Sequence, residues 1–106
     1  MTAASAPPEL LNAVVEYFRP LRVILFGSAA RGDAGQDSDI DLLVILDDDA
    51  PPQHLTLAAG YQSRRSYHRA ADVIPCRASV FRRKSRIAGT LAYMAAREGE
   101  IVYERR

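Results

Sequence analysis

Cysteine is nearly absent from this chain of 106 residues: Cys76 stands alone. An internal disulfide is therefore impossible, and cysteine usage implies no oxidising compartment. Cys76 also lacks the neighbours that would make a thiol a nucleophile, and its expected role is that of a small buried hydrophobe. Histidine is almost as scarce. His54 and His68 lack metal-ligand spacing and are read as surface residues. No apolar run approaches the roughly 20 residues that span a bilayer. The N-terminus has no basic segment followed by an apolar one, so no signal peptide is expected. These absences lead to the expectation of a cytoplasmic protein without a membrane segment. Repeats, low-complexity tracts and linkers are missing too, so residues 1–106 are expected to form one domain, small but able to bury a single core.

What is present is ordinary in bulk and uneven in detail. Hydrophobic residues make up 48% and charged residues 25%, the balance of a globular chain. The net charge of +1 conceals a division. Residues 1–50 carry nine acids and three bases, whereas residues 51–106 carry four acids and eleven bases. An acidic half beside a basic half suits a nucleotide and its metal, although such segregation also arises incidentally.

Periodicity places the elements. Ser5 caps a first helix that begins at Pro7-Pro8 and runs to about Phe18, where Pro20 stops it. Its apolar stripe is Leu10, Leu11, Val14, Val15 and Phe18. A buried strand follows from Arg22 to Phe26, then about one helical turn from Ser28 to Arg31 and a loop from Asp33 to Asp37. The second strand, Asp39 to Leu46, is apolar on both faces beyond Asp41, the mark of a central strand covered on both sides. Residues Leu55 to Ala70 read as a helix with Gly60 in its middle, and Ala71 to Cys76 as a short third strand. A basic helical segment, Phe81 to Arg86, precedes a helix from Ile87 to Arg97 with Ile87, Leu91, Met94 and Ala95 on one side. Gly99 closes it, and Ile101 to Tyr103 can add a last short strand.

The chemistry concentrates in Phe26-Gly27-Ser28-Ala29-Ala30-Arg31-Gly32 and Ser38-Asp39-Ile40-Asp41-Leu42. In a strand, Asp39 and Asp41 point to one face, roughly 6.5–7 Å apart. At an effective dielectric near 20, two such charges repel by roughly 2 kcal/mol. A fold that keeps such a pair holds something positive there, and Mg²⁺, which takes one or two carboxylates with substrate phosphates, is the natural candidate. If the first two strands are antiparallel and the helix after the second makes a parallel crossover, Asp72 starts beside Asp39 and Asp41. Asp47, Asp48 and Asp49 are the rival carboxylates. Seven strand residues of about 3.3 Å each set them roughly 23 Å away, at the wrong end of the sheet.

Gly27-Ser28, ten residues, then Asp39-x-Asp41 resembles the signature of the minimal nucleotidyltransferase domains of the DNA polymerase β-like superfamily. The wider string, with Arg31-Gly32 and Ser38 before Asp39, is similar to the MNT antitoxins that pair with HEPN toxins. It departs from that pattern at Ala29, where many relatives carry a polar or basic residue. The resemblance implies an α/β fold: a small mixed sheet of three main strands with flanking helices. It also implies Asp39, Asp41 and Asp72 as metal ligands and catalytic residues, with Asp72 completing a second metal site and taking the proton from the acceptor hydroxyl. Gly27 and Ser28 would cradle the phosphates of the nucleotide, and Arg31 would offer them its fork of donors.

Plainer readings stand beside these. Asp39 alone reads as a strand-entry residue, Asp72 as an exposed aspartate at a strand start, and Arg31 as a surface partner for Asp33 or Asp37. Arg82-Arg83-Lys84-x-Arg86 reads as a solvated helix face, and without interleaved aromatic residues no nucleic-acid partner is expected. The function expected from the resemblance is a Mg²⁺-dependent enzyme, an antitoxin that moves AMP from ATP to a tyrosine of a partner HEPN ribonuclease toxin. The alternative is an antitoxin that neutralises its toxin by binding and occlusion without catalysis. The acceptor is expected on a partner protein or on a second molecule docked on the outside, because 106 residues leave no room for an acceptor-holding domain.

Overall fold

The computed structural model describes residues 6–27 and 40–106. Helix α1 spans Pro8–Phe18, with proline in its first turn where a missing N–H costs nothing. It stops where Arg19 turns left-handed at φ 48° and returns its amide to Val15, just before Pro20. Strand β1 is Arg22–Phe26 and β2 is Ile40–Leu46. They pair antiparallel, with Phe26 opposite Asp41 and Arg22 opposite Ile45. A 3₁₀ turn at Pro52–Leu55 and helix α2, Leu57–Ser63, then lead into β3, Ala71–Arg77. Strand β3 lies parallel to β2, Ile40 opposite Ala71 through Leu46 opposite Arg77. Helices α3 (Ala78–Lys84) and α4 (Leu91–Glu98) precede β4 (Glu100–Glu104), which pairs antiparallel with β1. The sheet order is β3-β2-β1-β4. The three main strands expected are all present, and the last segment is a full fourth strand rather than a short addition.

Alternation along the strands divides the core into two layers. On one face, Leu10, Val14 and Phe18 of α1 and Ala59 of α2 pack on Val23, Leu25, Leu42, Val44, Leu46 and Val73. On the other, Ala95 of α4 joins Ile24, Phe26, Leu43 and Ile45, with Phe81 of α3, Ile74 and Cys76 against them. Residues Leu42 to Leu46 are all buried, as a central strand covered on both faces requires. Cys76 belongs to this second layer, and burial pushes its thiol up to about 11, so it packs as a hydrophobe. No helix among the described residues is long and apolar enough to cross a membrane.

Three helices differ from their expected extents, the basic segment expected from Phe81 to Arg86 being helical over Ala78–Lys84. The helix expected from Leu55 to Ala70 covers only Leu57–Ser63. Thr56 caps it late, its hydroxyl accepting from the Ala59 amide at 3.0 Å. Its end is set by Arg64, whose guanidinium donates to the carbonyls of Tyr67 and Arg69 at 3.2 and 2.6 Å. Residues 64–70 therefore wrap around that side chain instead of continuing the helix. The helix expected from Ile87 to Arg97 begins only at Leu91, where Thr90 caps the Tyr93 amide at 3.1 Å. Of the residues expected on one side, only Ala95 is buried, together with Ala92, while Ile87, Leu91 and Met94 are exposed.

Gly60, a helix-breaking choice by propensity, has a packing reason. A Cβ there would overlap the Val73 carbonyl oxygen of β3. Helix α2 can lie this close to β3 only without a side chain at that point. Gly60→Ala is therefore expected to lower stability by about 1–3 kcal/mol through overpacking, against the ~1 kcal/mol that alanine gains in an exposed helix interior. Urea unfolding monitored by circular dichroism checks this. A midpoint that stays or rises would contradict it.

The loop Asp47 to Asp49, placed from sequence at the far end of the sheet, clips that end together. Asp48 Oδ1 accepts from the Ser79 amide of α3 at 2.8 Å, and Arg105 reaches Asp47 at 2.7 Å. Arg77, ending β3, donates to the carbonyls of Asp48 and Ala50. The hydrogen bonds from Ser79, with Arg82 and Arg77 nearby, hold the Asp48 carboxyl below its ordinary 3.8. A lowered folded-state value stabilises above the unfolded value and is lost as pH falls through the folded one. Asp48→Ala is thus expected to lower the melting temperature at pH 7, and the gap to wild type should close as pH drops below 3.8. A gap that persists undiminished in acid would assign the effect to something other than the carboxylate.

Candidate active site

The site grows out of strand register. Asp41 and Asp72 are direct partners across the parallel β2–β3 pair, and Phe26 is the partner of Asp41 across β1–β2. Partners in register leave the sheet on the same face. Leu43 and Ile74, two residues further on, belong with Phe26 to the layer under α3 and α4. Asp41 and Asp72 therefore stand on that face too, at its end, with about 4.8 Å between their strands. Asp41 is half-buried and Asp72 exposed at the sheet edge. Two carboxylates about 5 Å apart repel by up to about 3 kcal/mol at an effective dielectric near 20.

Gly27 completes this corner. It ends β1 at φ 79°, in the left-handed region that favours glycine. A Cβ there would overlap Oδ2 of Asp41. The strand end is thus pressed against the carboxylate. Asp39, Ser28 and Arg31, the other expected site residues, lie outside the described residues. Among the described residues, no group of three or more His, Cys, Asp or Glu is placed to hold a metal. Asp41 and Asp72 nonetheless fit Mg²⁺ in kind and number, being two hard oxygen donors of the sort it takes beside substrate phosphates.

Sequence reasoning missed the residues that hold Asp72 in place. Immediately before β3, the Arg64 guanidinium ties the carbonyls of Tyr67 and Arg69 and lies over the rings of Tyr61 and Tyr67, 5.4 and 6.0 Å from their centroids. Tyr67 is itself buried in the α1 layer. The Ile40 amide then bonds to the Ala70 carbonyl at 3.3 Å, which starts the parallel pairing one residue before Asp41 and Asp72. Beside Asp72, Leu57, Tyr61, Arg64 and Ile74 line a shallow groove of about 340 Å³. An arginine followed within a few residues by tyrosine gives no motif, so no sequence signal marked this group.

Comparison with known proteins agrees with the geometry. Residues 8–93 match the nucleotidyltransferase domain family. The chain belongs to that family. A candidate protein adenylyltransferase of Methanocaldococcus jannaschii is 43% identical over 51 residues, which cover 46% of this chain and 51% of that protein. The chain thus spans about half the length of this relative. The crystal structure of a candidate nucleotidyltransferase from Sulfolobus solfataricus superposes with a TM-score of 0.55 at 23% identity, over 92% of this chain and 76% of its own. That likeness establishes the mixed α/β nucleotidyltransferase fold.

Gly27 offers the sharpest test of this corner. Gly27→Ala meets both the left-handed backbone and the Asp41 carboxylate, so it is expected to cost about 1–3 kcal/mol and to displace that carboxylate. Nucleotide affinity should fall together with stability. A variant that binds ATP as wild type does would show that the close approach of Gly27 to Asp41 has no part in binding.

Proposed function

We propose that this protein is a Mg²⁺- and ATP-dependent protein adenylyltransferase of the MNT antitoxin type, whose acceptor is a tyrosine of a partner HEPN toxin. The observation that carries the reading is the register that sets Asp41 beside Asp72 at the Gly27 corner, inside a nucleotidyltransferase domain. The name of the M. jannaschii relative points to protein as the acceptor class, and the wider string, Gly27-Ser28-x-x-Arg31-Gly32 with Ser38-Asp39-x-Asp41-Leu42, is what resembles the antitoxin group.

In this reading the tyrosine oxygen forms a bond to the α-phosphorus of ATP as the bond to pyrophosphate breaks. Asp39, Asp41 and Asp72 are the residues that would hold Mg²⁺, which when bound neutralises charge on the triphosphate. Gly27 and Ser28 admit the phosphates to the backbone, and Arg31 offers them a guanidinium. Asp72, exposed on the edge strand, receives the phenolic proton. Its edge position suits an acceptor that arrives from outside the domain. Much of the rate of such a transfer comes from orienting the hydroxyl, which the partner supplies.

Mass spectrometry of the partner after incubation with ATP and Mg²⁺ tests this. The partner is expected to gain one or more AMP groups, and Asp72→Asn is expected to cut transfer at least ~100-fold, the scale of general-base catalysis, while ATP still binds. A stable complex that never gains mass would replace this reading with neutralisation by occlusion.

A further inference from the structure

Strand β3 is an edge of the sheet, and its pairing with β2 decides which of its backbone groups look outward. In a parallel pair, alternate residues turn both N–H and C=O to the neighbour, and the residues between turn theirs away. The Ile40 amide bonds to the Ala70 carbonyl, with Ile40 opposite Ala71. Ala70, Asp72, Ile74 and Cys76 therefore serve β2, whereas Ala71, Val73, Pro75 and Arg77 turn their backbone groups to the open side. Two observations agree. The Val73 carbonyl oxygen is the atom that a Cβ at Gly60 of α2 would overlap, and Pro75, with no N–H to offer, falls at an outward position.

Proteins blunt such edges against added strands, and most of this one is blunted. Gly60 closes off the Val73 carbonyl, Pro75 removes a donor, and the Arg77 side chain is tied to the loop after β2. What stays open is short: the N–H and C=O of Ala71 and the N–H of Val73. None of these three has a hydrogen-bond partner among the described residues. They flank Asp72. Alongside, Leu57 and Tyr61 of α2, 74% and 63% exposed, wall the groove of about 340 Å³.

We infer that this edge receives the acceptor: an extended, tyrosine-bearing segment of the partner protein pairs antiparallel with Ala71–Val73, its tyrosine opposite Asp72. The inference rests on the adenylyltransferase reading, which needs a phenolic oxygen beside Asp72. Unpaired backbone donors and an acceptor at strand spacing select another extended backbone. Antiparallel pairing is the stronger kind. The residue after the tyrosine exchanges two hydrogen bonds with Ala71, and the carbonyl before the tyrosine accepts from the Val73 amide. Opposite Asp72 falls a non-hydrogen-bonded pair, with Cα atoms about 4.5 Å apart and side chains on one face. The tyrosine thus joins Asp72 on the face of α3 and α4. Its neighbours turn, like Ala71 and Val73, to the face of α2, where Leu57 and Tyr61 offer apolar contact.

Two isomeric peptides test this: acetyl-Tyr-Val-Thr-amide with one N-methyl group on either the tyrosine or the valine nitrogen. Their side chains are identical. In the inferred pairing the tyrosine N–H points away from β3, and the valine N–H donates to the Ala71 carbonyl. Each is titrated into the whole chain without ATP or Mg²⁺, up to about 10 mM to reach weak contacts, and followed by two-dimensional NMR of the backbone amides. The tyrosine-methylated and unmethylated peptides are expected to bind and to shift the Ala71 and Val73 amides most. The valine-methylated peptide is expected to bind at least ~10-fold more weakly, because it loses a hydrogen bond and sets a methyl group against a carbonyl. Ala71→Pro removes an outward N–H and no bond to β2, so it is expected to weaken the unmethylated peptide about 3–10-fold, the range of one hydrogen bond. No binding, equal binding of the two isomers, or the reverse preference would each overturn the inference. With ATP and Mg²⁺ added, AMP transfer to both isomers at equal rates would overturn the edge pairing and leave the adenylyltransferase reading standing. Selective binding without any transfer would support the pairing and count against that reading.

Discussion

The parallel pairing of β2 with β3 is the constraint on which the site depends. Two aspartates far apart in sequence become neighbours because Asp41 and Asp72 hold the same register position. A slip of one residue would turn one carboxylate to the opposite face. It would also drive Val73 out of the α1 layer and Ile74 into it, so the hydrophobic pattern that builds the core also enforces the carboxylate pair. Stability and chemistry are written into one register.

That register is held from both ends. Near the site, Arg64 gathers the carbonyls of Tyr67 and Arg69, and Gly60 lets α2 press on the backbone of Val73. At the far end, Arg77 and Asp48 join the last residues of β3 and the first of α3 to the loop after β2. The carboxylates themselves work against folding through their repulsion, and these unremarkable contacts oppose that cost. A cation bound with nucleotide would reverse its sign.

The strands were readable from the sequence because each is a short apolar run with a clear start. Arg22 to Phe26 and the parallel crossover to Ala71 follow from β-branched runs and the helix between them. The position of Asp72 beside Asp41 followed by topology alone. Helix lengths were less readable, because side chains that bond to backbone decided them: Arg64 ends α2, and Thr90 starts α4. Periodicity finds the large residues Leu91 and Met94, but the close packing of the helix admits only Ala92 and Ala95 inward. The role of Asp48 was hidden since a helix cap from a distant loop has no local pattern.

The central claim is that Asp41, held in register beside Asp72, takes part in a cation-dependent nucleotide site. Calorimetric titration of ATP with and without Mg²⁺, on wild type and Asp41→Asn, tests it most directly. The account predicts that wild type binds ATP only with Mg²⁺. It also predicts that Asp41→Asn, which keeps size and shape but loses the charge, weakens that binding by at least ~10-fold, a difference of about 1.4 kcal/mol. Equal affinity in the two proteins, or binding indifferent to Mg²⁺, would contradict it.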